Sequence, residues 1–300
     1  MLIKTAAALD FQLLTLEDAA WAVPLLEASG RMGCEYSYTT MFMWRNFYHN
    51  RLARLGDHLF FRAGKESQVF LPPMGPSLRE GLDILMDYTA AKGEPLRLVG
   101  ADPAIVKEVE THFPGRFSVT PQRGDFDYLY NQQDLAELPG RKFHSKKNHV
   151  SAFSRKFDWS YEPISDVNVT EVVEMAEKWC RLKGNCKDKG LRSENCAIKE
   201  ALAHRETLSI RGGLIRVDGQ VAAFTFGSPI NREVFDIHVE KALPDYPGAY
   251  AAINQAFAKS LGDFRLLNRE NDLDIEGLRK AKISYHPALI LEKYTCVQQK

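Results

Sequence analysis

The predicted order of secondary-structure elements occurs twice along the chain, at half-chain length. In the first half, two helical patterns and several strand-like runs precede helix, strand, helix and strands at about 78–92, 96–99, 103–112, 117–120 and 128–130. In the second half, helical patterns at about 168–180 and 194–205 precede a hairpin, then strand, helix, strand, helix and strand at about 233–239, 248–259, 264–267, 274–283 and 288–292. This order predicts a duplicated α/β domain.

The pattern breaks at Pro139-Gly140, between the two halves. We therefore predict an N-terminal domain at 1–138 and a C-terminal domain at 139–300. The clearest local signal lies in the second of them, where Asp218-Gly219 separates two strand-like runs. Such a pair predicts a two-residue hairpin turn, because the primed turn types place both residues at positive φ.

Charge and hydropathy exclude several classes of protein. Lys and Arg number 39, as do Asp and Glu, so the net charge is zero, and contact with nucleic acid or anionic lipid must come from a local patch. No apolar run approaches the ~18–20 residues that a membrane span needs, and Asp10 interrupts the N-terminal apolar segment early. We expect a soluble, cytoplasmic protein.

The cysteines predict neither a disulfide framework nor a zinc ribbon. They are odd in number and contain no C-x-x-C pair: Cys34, Cys180, Cys186, Cys196 and Cys296. The second to fourth of these, with His204, could be read as metal ligands, but their spacing matches no standard site. We expect reduced structural thiols and no metal.

Two polar stretches are candidates for chemistry. Residues 268–287 lead from a strand into a helix, and open α/β sheets usually bind ligands at the carboxyl ends of their strands. Residues 141–156 carry six Lys or Arg and no acidic residue, with apolar positions at helical spacing. The second stretch is a possible footprint for phosphates through Lys146 and Lys147. For 268–287, spacing alone favours a well-capped surface helix, and for 141–156 a solvated basic face is an equal alternative.

His238 lies in an alternating strand and could carry a proton into a cleft, although a histidine satisfied within the strand is the alternative. In the segment before the predicted helix at 248–259, Gly248-Ala249 is similar to a phosphate-binding turn at a helix N-terminus. Pro244 and Pro247 remove two N–H donors from that segment, and Asp245 would repel a phosphate.

Three segments resemble one known family. They are NRENDLDIEGLRKAKISYHP at 268–287, DYLYNQQDLAELPGRKFHSKKNHVSAF at 127–153 and YSYTTMFMW at 36–44. They look like the C-terminal domain of phosphatidylglycerol lysyltransferases and its stand-alone relatives, the DUF2156 group. The resemblance implies two tandem GNAT-like (acetyltransferase-like) domains, each a mixed, mainly antiparallel sheet flanked by helices. It further implies transfer of an amino acid from aminoacyl-tRNA to a lipid head group; a membrane domain usually precedes this unit in the family, and we do not expect one here.

The resemblance directs attention to 268–287 for the site. An acceptor must lose a proton as it attacks an ester, and the developing oxyanion needs donors placed in advance. Glu270, Asp272 and Lys282 are the candidates for catalysis. The candidates for binding substrate or phosphate are Arg269, Arg279, Lys280, Tyr285, Lys146, Lys147, His238 and Gly248.

We therefore expect a tandem GNAT-like acyltransferase without a tightly bound cofactor. Aminoacyl-tRNA is the expected co-substrate and transient partner, and the expected acceptor is an amine or hydroxyl, with a lipid head group as one case. An acetyl-CoA-dependent N-acetyltransferase is the first alternative; the departures around Gly248 weigh against it. A catalytically inactive module that binds a nucleotide or RNA is the second, because a fold does not establish a function.

Overall fold

The computed structural model describes residues 9–182 and 189–299, with the backbone alone at 189–193. Cys186, one of the thiols considered above as a metal ligand, lies outside the described residues. Cys180 is buried and Cys196 is exposed. The described chain divides into two compact units.

The first unit comprises the described residues up to Asp127, with Asn271–Leu278 and the described residues from Ile290 onward. Its elements up to residue 121 are β1 (Gln12–Leu13), α1 (Ala19–Ala28), α2 (Tyr38–Met43), α3 (Arg45–Tyr48), β2 (Arg51–Leu55), β3 (His58–Ala63), β4 (Val69–Phe70), α4 (Leu78–Ala90), β5 (Arg97–Ala101), α5 (Pro103–His112) and β6 (Phe117–Pro121).

The elements that follow in the chain are β7 (Asp127–Asn131), α6 (Gln132–Glu137), α7 (His144–Lys156), β8 (Trp159–Pro163), α8 (Val169–Leu182), α9 (Lys189–Ala203), β9 (Arg211–Val217), β10 (Gln220–Pro229), β11 (Val234–Ala242), α10 (Ala249–Ser260), β12 (Leu266–Asn268), α11 (Glu276–Ile283), β13 (Leu289–Leu291) and β14 (Tyr294–Gln298). The second unit comprises Tyr128–Glu270 and Arg279–Leu289. The chain passes from the first unit to the second after Asp127 and returns to the first unit at Asn271–Leu278 and from Ile290 onward. The sequence pattern, by comparison, places a single boundary at 138/139.

Local signals set several of these boundaries. The Asp102 carboxylate accepts a hydrogen bond from the Ile105 N–H at 2.9 Å, and Pro103 is the first residue of α5. Both features favour the start of a helix at the predicted residue. Asp218 and Gly219 join β9 to β10 with φ of 48° and 78°. The predicted hairpin turn is confirmed.

The sheet of the first unit has the strand order β1-β2-β3-β4-β5-β14-β6. The last strand of the chain, β14, is antiparallel to both β5 and β6 and lies between them. The sequence pattern predicts one final strand at 288–292 and does not reveal β14. Behind this sheet, α4 and α5 bury their apolar faces, including Leu82, Leu85, Ile105 and Val109.

In the described part of the chain, the second sheet has seven strands, with β13 at one edge followed by β7-β12-β11-β10-β9-β8. From β7 to β8 the pairings are antiparallel except for β11 with β12, which are parallel. From α10, Ile253 packs with Phe153 of α7 and Ile215 of β9, and Phe257 packs with Tyr130 of β7. The predicted architecture, mixed and mainly antiparallel sheets flanked by helices, is confirmed.

Candidate functional site

The candidate site begins where a short strand ends beside a long one. β11 and β12 pair in parallel from Val234↔Leu266 to Asp236↔Asn268. β12 stops at Asn268, while β11 continues to Ala242. The chain after β12 therefore leaves the sheet next to the second half of β11. Its first two residues, Arg269 and Glu270, contact Glu240 and His238 of that strand.

Asn268 holds the turn that presents Glu270. Its side-chain oxygen accepts a hydrogen bond from the Glu270 N–H at 2.7 Å, and its side chain is buried. The carbonyl of Glu270 accepts a hydrogen bond from the Tyr128 N–H at 3.3 Å. These contacts hold Glu270 at a φ of 55°, which is uncommon for a residue other than glycine. Such backbone strain often accompanies functional sites.

The side chain of His238 is enclosed by polar groups. Its Nε2 lies 2.8 Å from the Ser228 hydroxyl, and its Nδ1 lies 3.3 Å from Asp236 Oδ2 and 3.5 Å from Glu270 Oε1. Burial is the largest influence on the imidazole and lowers its pKa. The two carboxylates together outweigh burial and raise the pKa of His238 to about 9. At neutral pH this residue is therefore an imidazolium.

The three groups differ in access to solvent. The side chains of Asp236 and His238 are 0% and 2% exposed, whereas that of Glu270 is 29% exposed. An imidazolium has no lone pair to offer a metal ion or a substrate proton. Glu270 is therefore the member of this cluster with access to solvent, and the imidazolium of His238 lies 3.5 Å from its carboxylate.

The charge of His238 makes a prediction about stability. Its pKa is raised above the ordinary value of 6.5, so its contribution is fully present below pH 6.5 and is lost as the pH rises through about 9. We expect the free energy of unfolding to fall over this window by on the order of 3 kcal/mol. In His238→Gln this pH dependence should be absent. Urea unfolding of both proteins at several pH values measures the difference, and parallel curves would contradict the assignment.

A second ion pair joins Arg269 to Glu240, which lies two residues after His238 in β11. Arg269 Nη2 is 2.8 Å from Glu240 Oε1, and both side chains are largely buried, at 14% and 12% exposure. The amide of Asn254 in α10 donates to the other Glu240 oxygen at 3.0 Å. The guanidinium lies 4.7 Å from the centroid of Tyr285 and 5.7 Å from that of Tyr130. This pair thus contacts β11, α10, β7 and Tyr285, which lies two residues after α11.

Two lysines complete the group of cations. The ammonium of Lys282 in α11 donates a hydrogen bond to the carbonyl of Arg269. The backbone carbonyl of Lys282 accepts a 2.8 Å hydrogen bond from the Tyr130 hydroxyl. Lys146 of α7 places its ammonium 4.1 Å from the Tyr285 ring centroid. Burial lowers the pKa of Lys146, and the positive charge of Arg269 lowers it further. The Tyr285 ring thus contacts two cations, Lys146 and Arg269.

The structure distributes the remaining predicted residues over several places. Asp272 belongs to the first unit, where its buried carboxylate pairs with Arg123 at 3.1 Å and accepts the Asp274 N–H at 2.9 Å. These contacts give it a role in shaping the turn before α11. Arg279 is half-buried on α11, Lys280 of the same helix is exposed, and Lys147 is exposed on α7.

Gly248 precedes α10 at a φ of 96°. A Cβ atom at this position would lie 2.9 Å from the His149 carbonyl oxygen and 3.0 Å from Phe153 Cβ, so the glycine allows α7 and α10 to pack closely. Packing therefore explains this glycine without a bound phosphate.

We expect Gly248→Ala to lower the free energy of unfolding by about 1–3 kcal/mol, because it combines backbone strain with a backbone contact. The matched control is Gly277→Ala in α11, where a Cβ meets nothing within 4 Å. That change should raise stability by about 0.5–1 kcal/mol. Chemical denaturation compares the two, and equal effects would argue against the packing role.

Asp236, Glu240, Asn254 and Tyr130 contribute to the site without having been singled out from the sequence. A signal for two of them exists in β11, where Asp236, His238 and Glu240 alternate with apolar residues and therefore share one face of the strand. Asn254 and Tyr130 have no comparable signal, since each looks like an ordinary residue of its own element.

The sequence model of the phosphatidylglycerol lysyltransferase C-terminal family matches residues 27–297. A conserved protein of unknown function from Bacteroides thetaiotaomicron is 35% identical, with a TM-score of 0.93 over 97% of this chain and 100% of that one. The C-terminal domain (DUF2156) of a candidate lysylphosphatidylglycerol synthetase from Agrobacterium fabrum is 13% identical, with a TM-score of 0.69 over 95% and 92%. A tandem GNAT protein from the clavulanic acid biosynthesis pathway is 11% identical, with a TM-score of 0.50 over 97% and 99%.

An uncharacterised protein of Mycoplasmoides gallisepticum is 19% identical over 176 residues, which are 56% of this chain and 54% of that protein. The chain thus spans about half the length of this curated relative. Within the described residues, no helix is both long and apolar enough to cross a membrane. Because the family model covers most of the sequence, the chain belongs to the phosphatidylglycerol lysyltransferase C-terminal (DUF2156) family.

Proposed function

We propose that this protein transfers an aminoacyl group from aminoacyl-tRNA to an amine or hydroxyl acceptor, with a lipid head group as the acceptor of first choice. The observation that carries the proposal is the partly exposed Glu270 carboxylate, held beside the buried His238 imidazolium where β12 ends next to β11. Family membership supports the same class of reaction.

The geometry supports separate roles for the two charged groups. Glu270 accepts the proton of the acceptor as its oxygen or nitrogen attacks the ester carbonyl. His238 and the Asn268 turn act on Glu270, by holding its charge and its backbone. The ester bond to the tRNA ribose then breaks, and the ribose oxygen leaves as a hydroxyl with the proton that Glu270 had accepted, which restores the carboxylate.

Cations around Tyr285 are suited to the negative charge of the donor and of the reacting carbonyl. Lys146 and Arg269 both lie against this ring, and Lys282 is bound to the Arg269 carbonyl. Further along α7, Lys147 and Arg155 are exposed and available to phosphates. Arg269 is paired with Glu240 and is therefore a positioning residue, whereas Lys146 and Lys282 are both half-buried cations.

The test is an aminoacyl-transfer assay with the full chain. A mixture of labelled aminoacyl-tRNAs is incubated with a total lipid extract or with small amine acceptors, and label is followed into lipid and into small molecules. We expect time-dependent transfer that requires both the protein and intact aminoacyl-tRNA.

Two other results would replace the proposal. Label transferred from acetyl-CoA, with none from aminoacyl-tRNA, would make the protein an N-acetyltransferase. RNA binding that falls steeply with salt, without turnover of any acyl donor, would make it a binding module. Protection against thermal unfolding by CoA or by tRNA separates the two independently of turnover.

A further inference from the structure

The first unit contains a buried group of four reactive side chains that the proposed function does not use. Cys34 and Glu35 lie together on a 3-10 turn, Cys34–Tyr36. Asp127 is the first residue of β7, and Lys293 immediately precedes β14. The side chains of Asp127 and Lys293 are 0% and 4% exposed, and Cys34 is buried. We refer to these four residues as the Cys34–Lys293 cluster.

The lysine ammonium lies among the three acidic groups. Lys293 Nζ is 2.8 Å from Asp127 Oδ2, is hydrogen-bonded to Glu35 Oε2, and is 3.6 Å from Cys34 Sγ. The thiol is 3.4 Å from Asp127 Oδ1, and the Cys34 N–H donates to the other oxygen of Asp127 at 2.7 Å. Asp127 thus contacts both Cys34 and Lys293, and it holds the sulfur and the amine nitrogen next to each other.

Two glycines make room for this cluster. A Cβ atom on Gly100, which has a φ of 68°, would lie 2.4 Å from Glu35 Oε1, and one on Gly33 would lie 2.8 Å from Glu35 Oε2. Glu35 Oε1 is buried and has no hydrogen-bond partner within the described part of the chain. The Glu35 carboxylate is thus packed against the backbone on two sides and directed at Lys293.

A metal ion is a poor occupant of this cluster. The ligand atoms of Cys34, Glu35 and Asp127 lie within 4.8 Å of one another, but the Lys293 ammonium contacts all three residues. The coulombic attraction that would bind a cation is already satisfied by the lysine. Chemistry between the lysine and the thiol is the alternative that the contacts support.

The carboxylates supply what such chemistry needs, because the amine must lose its proton before it reacts. Burial raises the pKa of Glu35, and Asp127 opposes its ionisation, although Lys293 acts in the other direction. Burial lowers the pKa of Lys293, but Asp127, Cys34 and Glu35 outweigh burial and raise that pKa well above its ordinary value, so the amine needs a proton acceptor in direct contact with it. Glu35 is hydrogen-bonded to the ammonium, and Asp127 accepts a hydrogen bond from the Cys34 thiol, so each proton has an acceptor in place.

We propose that Cys34 and Lys293 form a covalent sulfur–oxygen–nitrogen link by reaction with dioxygen. The S–H bond of Cys34 and one N–H bond of the neutral Lys293 amine break, and S–O and O–N bonds form. The O–O bond breaks, one oxygen atom enters the link, and the other leaves as water with both hydrogens. Sulfur and nitrogen each give up two electrons, which together reduce the dioxygen.

The link would change the charge of the buried cluster and the topology of the chain. The bridged nitrogen no longer carries the positive charge that pairs with Asp127 and Glu35, so one carboxyl group retains the proton taken from Lys293. The link would also join residues 259 apart in the sequence. Because the four residues all belong to the first unit, the link can be tested independently of any transferase activity in the second unit.

The experiment is a peptide map of the full-length protein, prepared anaerobically with reductant and then held under nitrogen or in oxygen-saturated buffer. Free thiols are alkylated during unfolding, and the protease is one that does not cut at lysine. Under oxygen we expect a peptide pair joined through Cys34 and Lys293, heavier than the separate peptides by one oxygen and lighter by two hydrogens. A thiol reductant should separate the pair.

Two variants provide controls. Cys196→Ser removes an exposed thiol elsewhere and should leave the linked pair unchanged. Lys293→Arg keeps a positive charge but should abolish the pair, and its folding is checked by circular dichroism. If that variant does not fold, the wild-type map still decides. Absence of the pair under oxygen overturns the proposal, as does Cys34 in sulfinic or sulfonic form beside an unmodified Lys293. A pair lacking the additional oxygen also overturns it, because that mass indicates a direct S–N bond.

Discussion

Replacing Glu270 with glutamine is expected to lower kcat for aminoacyl transfer by about 10²–10⁴-fold, because the amide cannot accept the acceptor's proton. The turn should persist, since Asn268 bonds the Glu270 backbone and not its side chain. The measurement is the initial rate at saturating aminoacyl-tRNA and acceptor, together with KM. We expect the change to appear in kcat, because the carboxylate acts mainly on the reacting proton.

The matched control is Glu233→Gln, an exposed carboxylate in the same unit that pairs with Arg265 at the surface. This variant should retain wild-type activity. A Glu270→Gln enzyme with undiminished kcat would exclude Glu270 as the base. If both variants lost activity equally, the loss would reflect a general effect of charge and not the position of Glu270.

We expect Arg269→Ala to destabilise the protein by about 3–5 kcal/mol, because it leaves the buried Glu240 carboxylate without its cation. Both partners are largely buried, and the only other hydrogen bond to Glu240 in the described contacts comes from Asn254. The guanidinium also covers the Tyr285 ring, so its removal exposes apolar surface. Equilibrium unfolding in urea measures the loss.

Arg265→Ala provides the comparison, four residues earlier in the same chain segment. Arg265 and Glu233 are 2.9 Å apart but are 62% and 65% exposed, so this pair should contribute at most about 1 kcal/mol. The double variant Arg269→Ala, Glu240→Gln should recover part of the stability lost in Arg269→Ala, because the amide no longer leaves a buried charge. Equal losses for Arg269→Ala and Arg265→Ala would show that burial of the Arg269 pair has no energetic consequence.

The sequence predicts those features that depend on a few adjacent residues. Asp102 and Pro103 start α5, and Asp218 and Gly219 make the hairpin, because a cap or a turn is satisfied within four residues. The polar segment after β12 was recognisable for the same reason, as a strand end followed by a helix. The family resemblance, carried by long segments, correctly predicted the architecture of the two sheets.

Contacts between distant residues were beyond the sequence pattern. Glu270 and Asp272 are two positions apart and looked equivalent as bases, yet Glu270 meets His238 while Asp272 is buried against Arg123 in the other unit. The positive φ of Glu270 turns the chain between them. Periodicity cannot predict such a turn, because it depends on the buried Asn268 side chain and on pairing with β7.

The sequence by itself determined most of the helices (but not α6), the hairpin and the family, because short-range hydrogen bonds and the spacing of apolar residues depend on neighbouring positions. Only the tertiary structure decided which polar side chains meet. Strand β14 lies between β5 and β6, and Lys293 reaches Cys34 from 259 residues away, through pairings that no local pattern encodes. The physical reason is that burial converts weak surface charges into strongly coupled pairs, and burial is a property of the whole fold.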